Sequence, residues 1–221
     1  MFLRAFSWLV YLVGCVLILR NSLEDYLPGG YGLFISQKGD IGADPLWRVS
    51  LYVHIVAGLI CLFAALPQFS HGLLARVPSL HRICGRVYGM SVLLLVCPTG
   101  FHLALYAKGG ILGKLGFLTL SVLAFHCTMA GWRAILPPSR NLILHREWMI
   151  RSFALAASAI TFRIFHMLGY FYGLEENVNY VTCLWLSIVG NLAVAEIILQ
   201  RRKRGNHLLS PVTEHQPQIE T

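Results

Sequence analysis

The chain has 221 residues, of which 56% are apolar and only 13% charged, with a formal net charge of +8 and a mean hydropathy of +0.62. Soluble proteins carry about 25% charged residues, so this composition excludes a soluble globular domain. The length is that of a single domain. In a membrane protein the excess positive charge is expected on loops at the membrane surface, and no nucleic-acid partner is predicted.

Six apolar runs, separated by polar or Pro- and Gly-rich breaks, are candidates to cross about 30 Å of hydrocarbon as helices of about 20 residues. They cover about 5–20, 49–68, 86–106, 115–136, 148–172 and 180–200. We expect the first run to be retained, because no small-x-small cleavage site follows it. The pattern predicts an all-α, polytopic six-helix transmembrane bundle over 1–204, with the second to fifth helices as its core. Residues 205–221 are polar, which predicts a disordered cytoplasmic tail.

The distribution of Lys and Arg predicts the orientation, because both accumulate on cytoplasmic loops. With the amino terminus in the cytoplasm, twelve of the 18 basic residues lie at cytoplasmic helix ends and five at outer ends. Both termini of this multi-pass chain are therefore predicted to be cytoplasmic. The run Arg201 to Arg204 directly follows the last helix, and we expect it to contact anionic lipid.

Seven of the nine histidines lie in the membrane-associated part of the chain. Ionisable residues at this depth are costly, so each marks a candidate functional site. His81 and His145 stand in two Leu-His-Arg steps, at the start of the third and fifth predicted helices. His102 and His166 each follow by 21 residues, which is about 31 Å along an α-helix and returns close to the starting face.

Paired histidines on neighbouring helices hold haem in b-type cytochromes. The spacing predicts three candidate pairs of haem b ligands, namely His81 with His145, His102 with His166, and His54 with His126. Two alternatives remain open. The histidines can be structural, with hydrogen bonds between helices or at the interface. His54, His102 and His166 can also form a zinc site, although the outer halves of their helices offer no carboxylate as a base.

Two arginines lie within the fifth predicted helix. Arg151 is near its cytoplasmic end, where it can snorkel to the surface or pair with Glu196 of the sixth helix. Arg163 lies 12 residues further on, about 18 Å deeper. We expect Arg163 to face a cavity, backbone carbonyls or an anionic partner such as a lipid headgroup, cofactor or substrate.

Several motifs between about 54 and 163 resemble the predicted membrane proteins catalogued as domain of unknown function 2306. The matching pieces are His54-Ile55-Val56-Ala57-Gly58, Leu66-Pro67-Gln68-Phe69, Leu80-His81-Arg82, Gly85-Arg86-Val87-Tyr88, Gly109-Gly110, His145-Arg146-Glu147-Trp148-Met149-Ile150-Arg151-Ser152 and Thr161-Phe162-Arg163. The resemblance implies a multi-helix membrane protein without an established reaction. It covers about half the chain, and His102, His126 and His166 do not obviously fall on its motifs.

The sequence thus leaves three hypotheses. The first is a b-type haem redox protein, with His54, His81 and His145 among the ligands and Arg86, Arg151 or Arg163 facing haem propionates or a quinone-like substrate. The second is a non-enzymatic protein that binds or transports an anionic lipid or small molecule around Arg163. The third is a structural or partner-binding membrane subunit. Further candidate contacts on the family motifs are Gln68, Tyr88 and Trp148.

Overall fold

The computed structural model describes residues 2–26, 33–36, 38–69 and 76–209, and this part of the chain is helical with no strand. Six main helices follow one another: α1 (Phe2–Tyr26), α2 (Pro45–Ala65), α3 (Pro78–Ala104), α4 (Gly110–Ile135), α5 (Leu142–Phe171) and α6 (Glu176–Leu209). Shorter helical pieces cover Leu33–Ser36, Gly39–Ala43 and Leu66–Phe69. A π-helical segment, Ser91–Val96, interrupts α3, and α5 divides at Ala157 into Leu142–Ala156 and Ser158–Phe171.

Five of these helices, α2 to α6, are long and apolar enough to cross a membrane, counted over the described residues. In α1 the apolar segment is shorter, Leu9–Arg20. Large apolar side chains such as Leu94 and Val189 are 63% and 59% exposed on the helix surfaces, as expected where lipid is the solvent. The predicted all-α polytopic membrane bundle is therefore confirmed.

The helices pack around α5. Its first segment packs closely on α4, and α6 packs against both α4 and α5. On the other side, α1 lies against α2 and the second segment of α5. Tyr11 of α1 donates a hydrogen bond to the Leu62 carbonyl of α2 at 3.0 Å, and its ring lies 5.2 Å from that of Phe153 in α5. The sequence places α6 on the flank of a core formed by α2 to α5, but Leu184 and Ile188 of α6 are buried in one cluster with Cys127 of α4 and Leu155 of α5, so α6 belongs to the core as well.

The helices α2 and α5 begin at capping residues, and their starts do not coincide with the starts of the apolar runs. The Asp44 carboxylate accepts from the Leu46 N–H ahead of α2, and the Asn141 side chain accepts from the Leu144 N–H ahead of α5, both at 2.9 Å. Proline stands at the first position of α3, which begins eight residues before the predicted start at 86. Both helices carry a His-Arg step within their first two turns, so an apolar window begins only after these turns.

The sixth helix is longer than predicted. It continues to Leu209, five residues into the segment predicted as a disordered tail, and it carries the basic run as part of the helix. Lys203 in this extension lies 3.0 Å from the Glu147 carboxylate at the start of α5. The remaining tail, 210–221, is outside the described residues. The side of the bundle that holds the starts of α3 and α5 and the ends of α4 and α6 is called the basic end below.

Candidate functional site

At the basic end, the last residues of α2 contact the first turns of α3. The Gln68 side chain donates from Nε2 to the His81 carbonyl at 3.0 Å. Gly85 lies one turn further along α3, where an added Cβ would stand 3.2 Å from Gln68 Oε1. Gln68 therefore holds the backbone that carries His81, and the two motifs form one structural unit.

His145 is held in the same region by α4. Its Nδ1 lies 2.7 Å from the Gly131 carbonyl and donates to it, because a carbonyl oxygen is only an acceptor. The neutral ring then keeps an unprotonated Nε2, the arrangement typical of a ligating histidine whose ring is fixed by a backbone carbonyl. His81 lies within electrostatic range of His145, and its Nδ1 is buried with no hydrogen-bond partner among the described residues. Both residues of this predicted pair therefore lie at the basic end, His145 against α4 and His81 beside the Leu66–Phe69 segment.

The predicted pair of His102 and His166 is not brought together. His102 Nδ1 lies 2.9 Å from the Ser50 hydroxyl, so this ring faces α2. The His166 ring lies 5.9 Å from the Tyr180 ring and therefore faces α6. The two rings share a depth but point to different neighbours, and an iron between them has no support in these contacts.

His54 and His126 also face apart. His54 Nδ1 lies 3.0 Å from the Val96 carbonyl, which places the ring between α2 and α3. His126 is exposed on α4, with its ring edge 5.4 Å from Trp148. No group of three or more His, Cys, Asp or Glu side chains able to hold a metal ion occurs in the described ranges, so the zinc alternative lacks a ligand set.

A buried chain of hydroxyls joins three helices below the basic end. The Tyr88 hydroxyl lies 2.8 Å from Ser152 Oγ, which in turn lies 2.7 Å from Thr128 Oγ1. Thr128 donates on to the Ala124 carbonyl at 2.7 Å. Each hydroxyl has a partner within the protein, so Tyr88 serves to fasten α3 to α5 and α4. Sequence patterns identified Tyr88 but not its two hydroxyl partners.

Arg151 pairs with Glu196, as the sequence predicts. The guanidinium reaches both carboxylate oxygens, with Nε–Oε1 and Nη2–Oε2 distances of 2.5 and 3.0 Å. It also lies over the Trp148 ring, 4.9 Å from the centroid. These contacts occupy Arg151 and Trp148 in holding α6 against α5, whereas Arg86 is exposed at the basic end.

Arg163 lies in the second segment of α5 and is exposed. One of its nitrogens, Nη1, donates to the Ala159 carbonyl at 2.6 Å. The neighbours of this segment fix its direction, since Ser158 and Thr161 are hydrogen-bonded to α6. At about 100° per residue, Arg163 lies about 140° from Ser158 and about 160° from Thr161 around the helix. Its side chain therefore points away from α6.

The face of α5 opposite α6 also carries Ile160, which is buried in one apolar cluster with Tyr11 of α1 and Leu62 of α2. Arg163 is within electrostatic range of His54 on α2. Over the described ranges, the backbone of Ser158–Phe171 packs on α1 and α6 but not on α2, α3 or α4, whereas Leu142–Ala156 packs tightly on α4. The backbone of the second segment of α5 therefore stands further from α4 than that of the first segment. The exposed surroundings of the Arg163 side chain are called the Arg163 crevice below.

A separate cavity of about 470 Å³ lies between α3 and α4. Its lining comprises Cys97, Pro98, Phe101, Ser121, Val122, Phe125, His126, Met129 and Arg133. Arg163 is not among these residues, so this is a different site from the one the sequence predicts. Arg133 counts in the sequence only as one of many basic residues at a helix end, and nothing in the pattern distinguishes it.

Comparison with known proteins places the chain in a family. No curated protein and no solved structure matches it. A family model does match, over residues 51–199, and its description is a predicted membrane protein. The match runs from the start of α2 almost to the end of α6 and includes every motif residue described above. The chain belongs to this family of predicted membrane proteins, domain of unknown function 2306.

Proposed function

We propose that the protein binds an anionic ligand in the Arg163 crevice, as a non-enzymatic membrane protein that receives or transports a lipid or small molecule. The observation that carries the proposal is the direction of Arg163, which is exposed and points away from α6, on the face of α5 where Ile160 packs with α1 and with Leu62 of α2. A guanidinium keeps its charge under all relevant conditions. A carboxylate or phosphate can bind it in bidentate geometry.

The surroundings of Arg163 favour a ligand with one anionic group and an apolar remainder. Next to it on α5, the Phe162 ring lies 6.3 Å from Phe117 of α4 and 5.3 Å from Tyr180 of α6. These rings lie on the side of α5 toward α6. On the face that carries Arg163, Ile160 is buried with Leu62 of α2 in an apolar cluster, so apolar surface adjoins the cation. A fatty-acid carboxylate and a phospholipid phosphate both have this chemistry, and so does a small apolar acid.

The test is a titration of the detergent-purified protein with two probes, oleate and inorganic phosphate, followed by thermal unfolding. A ligand at 100 times its Kd stabilises the protein by about 2.7 kcal/mol. We expect oleate to raise the unfolding temperature of the wild type, and Arg163→Leu to weaken its binding about tenfold or more. Arg82→Leu, which removes an exposed charge at the basic end, is the matched control. Equal binding by Arg163→Leu and wild type overturns the proposal, and stabilisation by phosphate alone identifies a small anion instead of a lipid.

Haem b is the second candidate, and the contacts of His81 and His145 favour it. The ring of His145 is fixed through Nδ1 and so offers Nε2, while His81 stands nearby with a buried nitrogen that lacks a protein partner in the described part of the chain. Haem in this position would supply single-electron transfer. Arg86 is exposed at the same end and is suited to a propionate, whereas Arg151 is already held by Glu196.

An absorption spectrum separates the two candidates. Protein expressed with a haem precursor should show a reducible Soret band that His81→Ala and His145→Ala abolish and His166→Ala retains. A colourless wild-type protein refutes haem binding. It has no bearing on the Arg163 crevice, which lies in the other half of the bundle.

Orientation and surface partners complete the proposal. Twelve basic residues favour a cytoplasmic basic end, with both termini on that side. The helical run Arg201 to Arg204 would then meet the anionic lipids of the cytoplasmic leaflet. Cysteine labelling of single-cysteine variants at Ser139 and Gly173, on opposite sides of the bundle, would establish the orientation. Labelling of the Ser139→Cys variant from outside intact cells would contradict the proposed orientation.

A further inference from the structure

We infer that the cavity between α3 and α4 is a second, lateral site that holds an anionic phospholipid, with its phosphate at Arg133 and one acyl chain along the groove. The α4 wall is formed by Ser121, Val122, Phe125, His126, Met129 and Arg133, which recur on one face of the helix. From Ser121 to Arg133 this wall is about 18 Å long. One leaflet of hydrocarbon is about 15 Å thick, so the groove has the length of one acyl chain.

The shape of α3 explains why a groove opens at this level. Pro98 lines the cavity and has no N–H for the carbonyl one turn earlier. The π-helical segment ends two residues before Pro98, at Val96. Proline and π-helical turns are the usual causes of a helix kink, and here both stand beside the cavity. The α3 wall is otherwise apolar, with Phe101 48% exposed.

The charge at one end of the cavity indicates an anionic ligand. The cavity lining is apolar along most of its length and ends in an exposed guanidinium in the last turn of α4, at the basic end. This order of apolar wall and terminal cation matches an acyl chain and its phosphate. His126 lies seven residues before Arg133, at a depth where an imidazole is costly in hydrocarbon.

This site shares no residue with the Arg163 crevice and does not depend on the function proposed for it. Its test is native mass spectrometry of the full-length, delipidated protein, titrated with dioleoyl phosphatidylglycerol or dioleoyl phosphatidylcholine. The wild type should bind phosphatidylglycerol more tightly than phosphatidylcholine. Arg133→Gln should weaken the tightest phosphatidylglycerol binding about tenfold, since it removes a charge-assisted contact. Arg82→Gln removes the same charge elsewhere at the basic end and should leave this binding unchanged.

A steric pair of variants tests the groove itself. Val122→Trp fills the cavity from a position that is 54% exposed and should remove about one bound lipid of either headgroup. Leu115→Trp places the same side chain on the same face of α4, outside the cavity, at a position that is 45% exposed. Both sites are on the surface, so neither variant disturbs the core. The inference is overturned if Arg133→Gln and Arg82→Gln behave alike, or if the two tryptophan variants bind equal amounts of lipid.

Discussion

The ion pair between Arg151 and Glu196 gives the sharpest test of how α6 is held against α5. It is bidentate, and the two side chains are 18% and 43% exposed. Because Arg151 is largely buried, its guanidinium has little solvent to compensate the loss of Glu196. Removing one member of a buried pair costs about 3 to 5 kcal/mol, and for this half-open pair we expect the lower end.

The two single variants should differ. Glu196→Met leaves a guanidinium that cannot lose its proton, and we expect a loss of about 3 kcal/mol in the free energy of unfolding. Arg151→Met leaves a carboxyl group that can take up a proton, and we expect a smaller loss of about 2 kcal/mol. The double variant replaces the pair by apolar groups of similar size, which is close to neutral in buried sites. It still loses the cation–π contact with Trp148, so we expect it within about 1 kcal/mol of the wild type.

The measurement is reversible unfolding in mixed micelles by titration with sodium dodecyl sulfate, followed by tryptophan fluorescence. Glu24→Gln serves as the control, because it removes the exposed pair of Arg20 and Glu24, whose side chains are 70% and 46% exposed. Such surface pairs contribute little, and we expect no resolved change in the midpoint. If the double variant loses as much as the two single variants together, the pair does not act as a unit and the reasoning fails.

Three further predictions concern local contacts. The Glu175 carboxylate accepts the Asn177 and Val178 N–H groups at 2.9 and 2.8 Å, which holds the pKa of this exposed carboxyl below its usual range. Glu175→Ala should lower the midpoint of unfolding at pH 7. The difference in midpoint between this variant and the wild type should vanish as the pH falls through the lowered pKa of Glu175, because the folded wild type then loses the bound carboxylate. Gly89→Ala should lower the free energy of unfolding by about 1 to 3 kcal/mol, because its Cβ would meet the Trp132 indole. Gly58→Ala is the control in the same unfolding assay: there is open space around Gly58, so this variant should be neutral or stabilising. Tyr88→Phe should cost about 1 kcal/mol through its lost hydroxyl bond, and a change below about 0.3 kcal/mol would show that the hydroxyl chain is not a fastening.

Hydropathy alone was sufficient to predict the fold class, because a membrane limits the chain to helices whose apolar length matches the bilayer. It could not locate the polar helical turns. The stretch from Pro78 to Arg86 is helical but contains His81 and two arginines, so an apolar window begins only after it. The same holds at the start of α5, where Asn141 caps a turn that carries His145. Both histidines consequently lie inside helices rather than ahead of them.

The histidine pairs show why depth can be predicted from a sequence when direction cannot. The 21-residue spacing assumes an uninterrupted α-helix of 3.6 residues per turn. In α3 the π-helical segment Ser91–Val96 stands between His81 and His102, and in α5 the division at Ala157 stands between His145 and His166. Each irregularity changes the rotation of everything beyond it. His81 and His145 precede the irregularities, so the rotation of their own turns is not affected.

Arg163 follows the same rule, and the division of α5 explains its surroundings. Sequence spacing gives its depth, but its direction depends on how the second segment of α5 is rotated against α6. Asn191 of α6 fixes that rotation, because its side-chain amide donates to the Ala154 carbonyl at 3.0 Å and to Thr161 Oγ1 at 3.0 Å, on either side of the division. A break in a membrane helix requires such a partner for its backbone. The amide that stabilises the break therefore also turns Arg163 away from α6 and into the crevice.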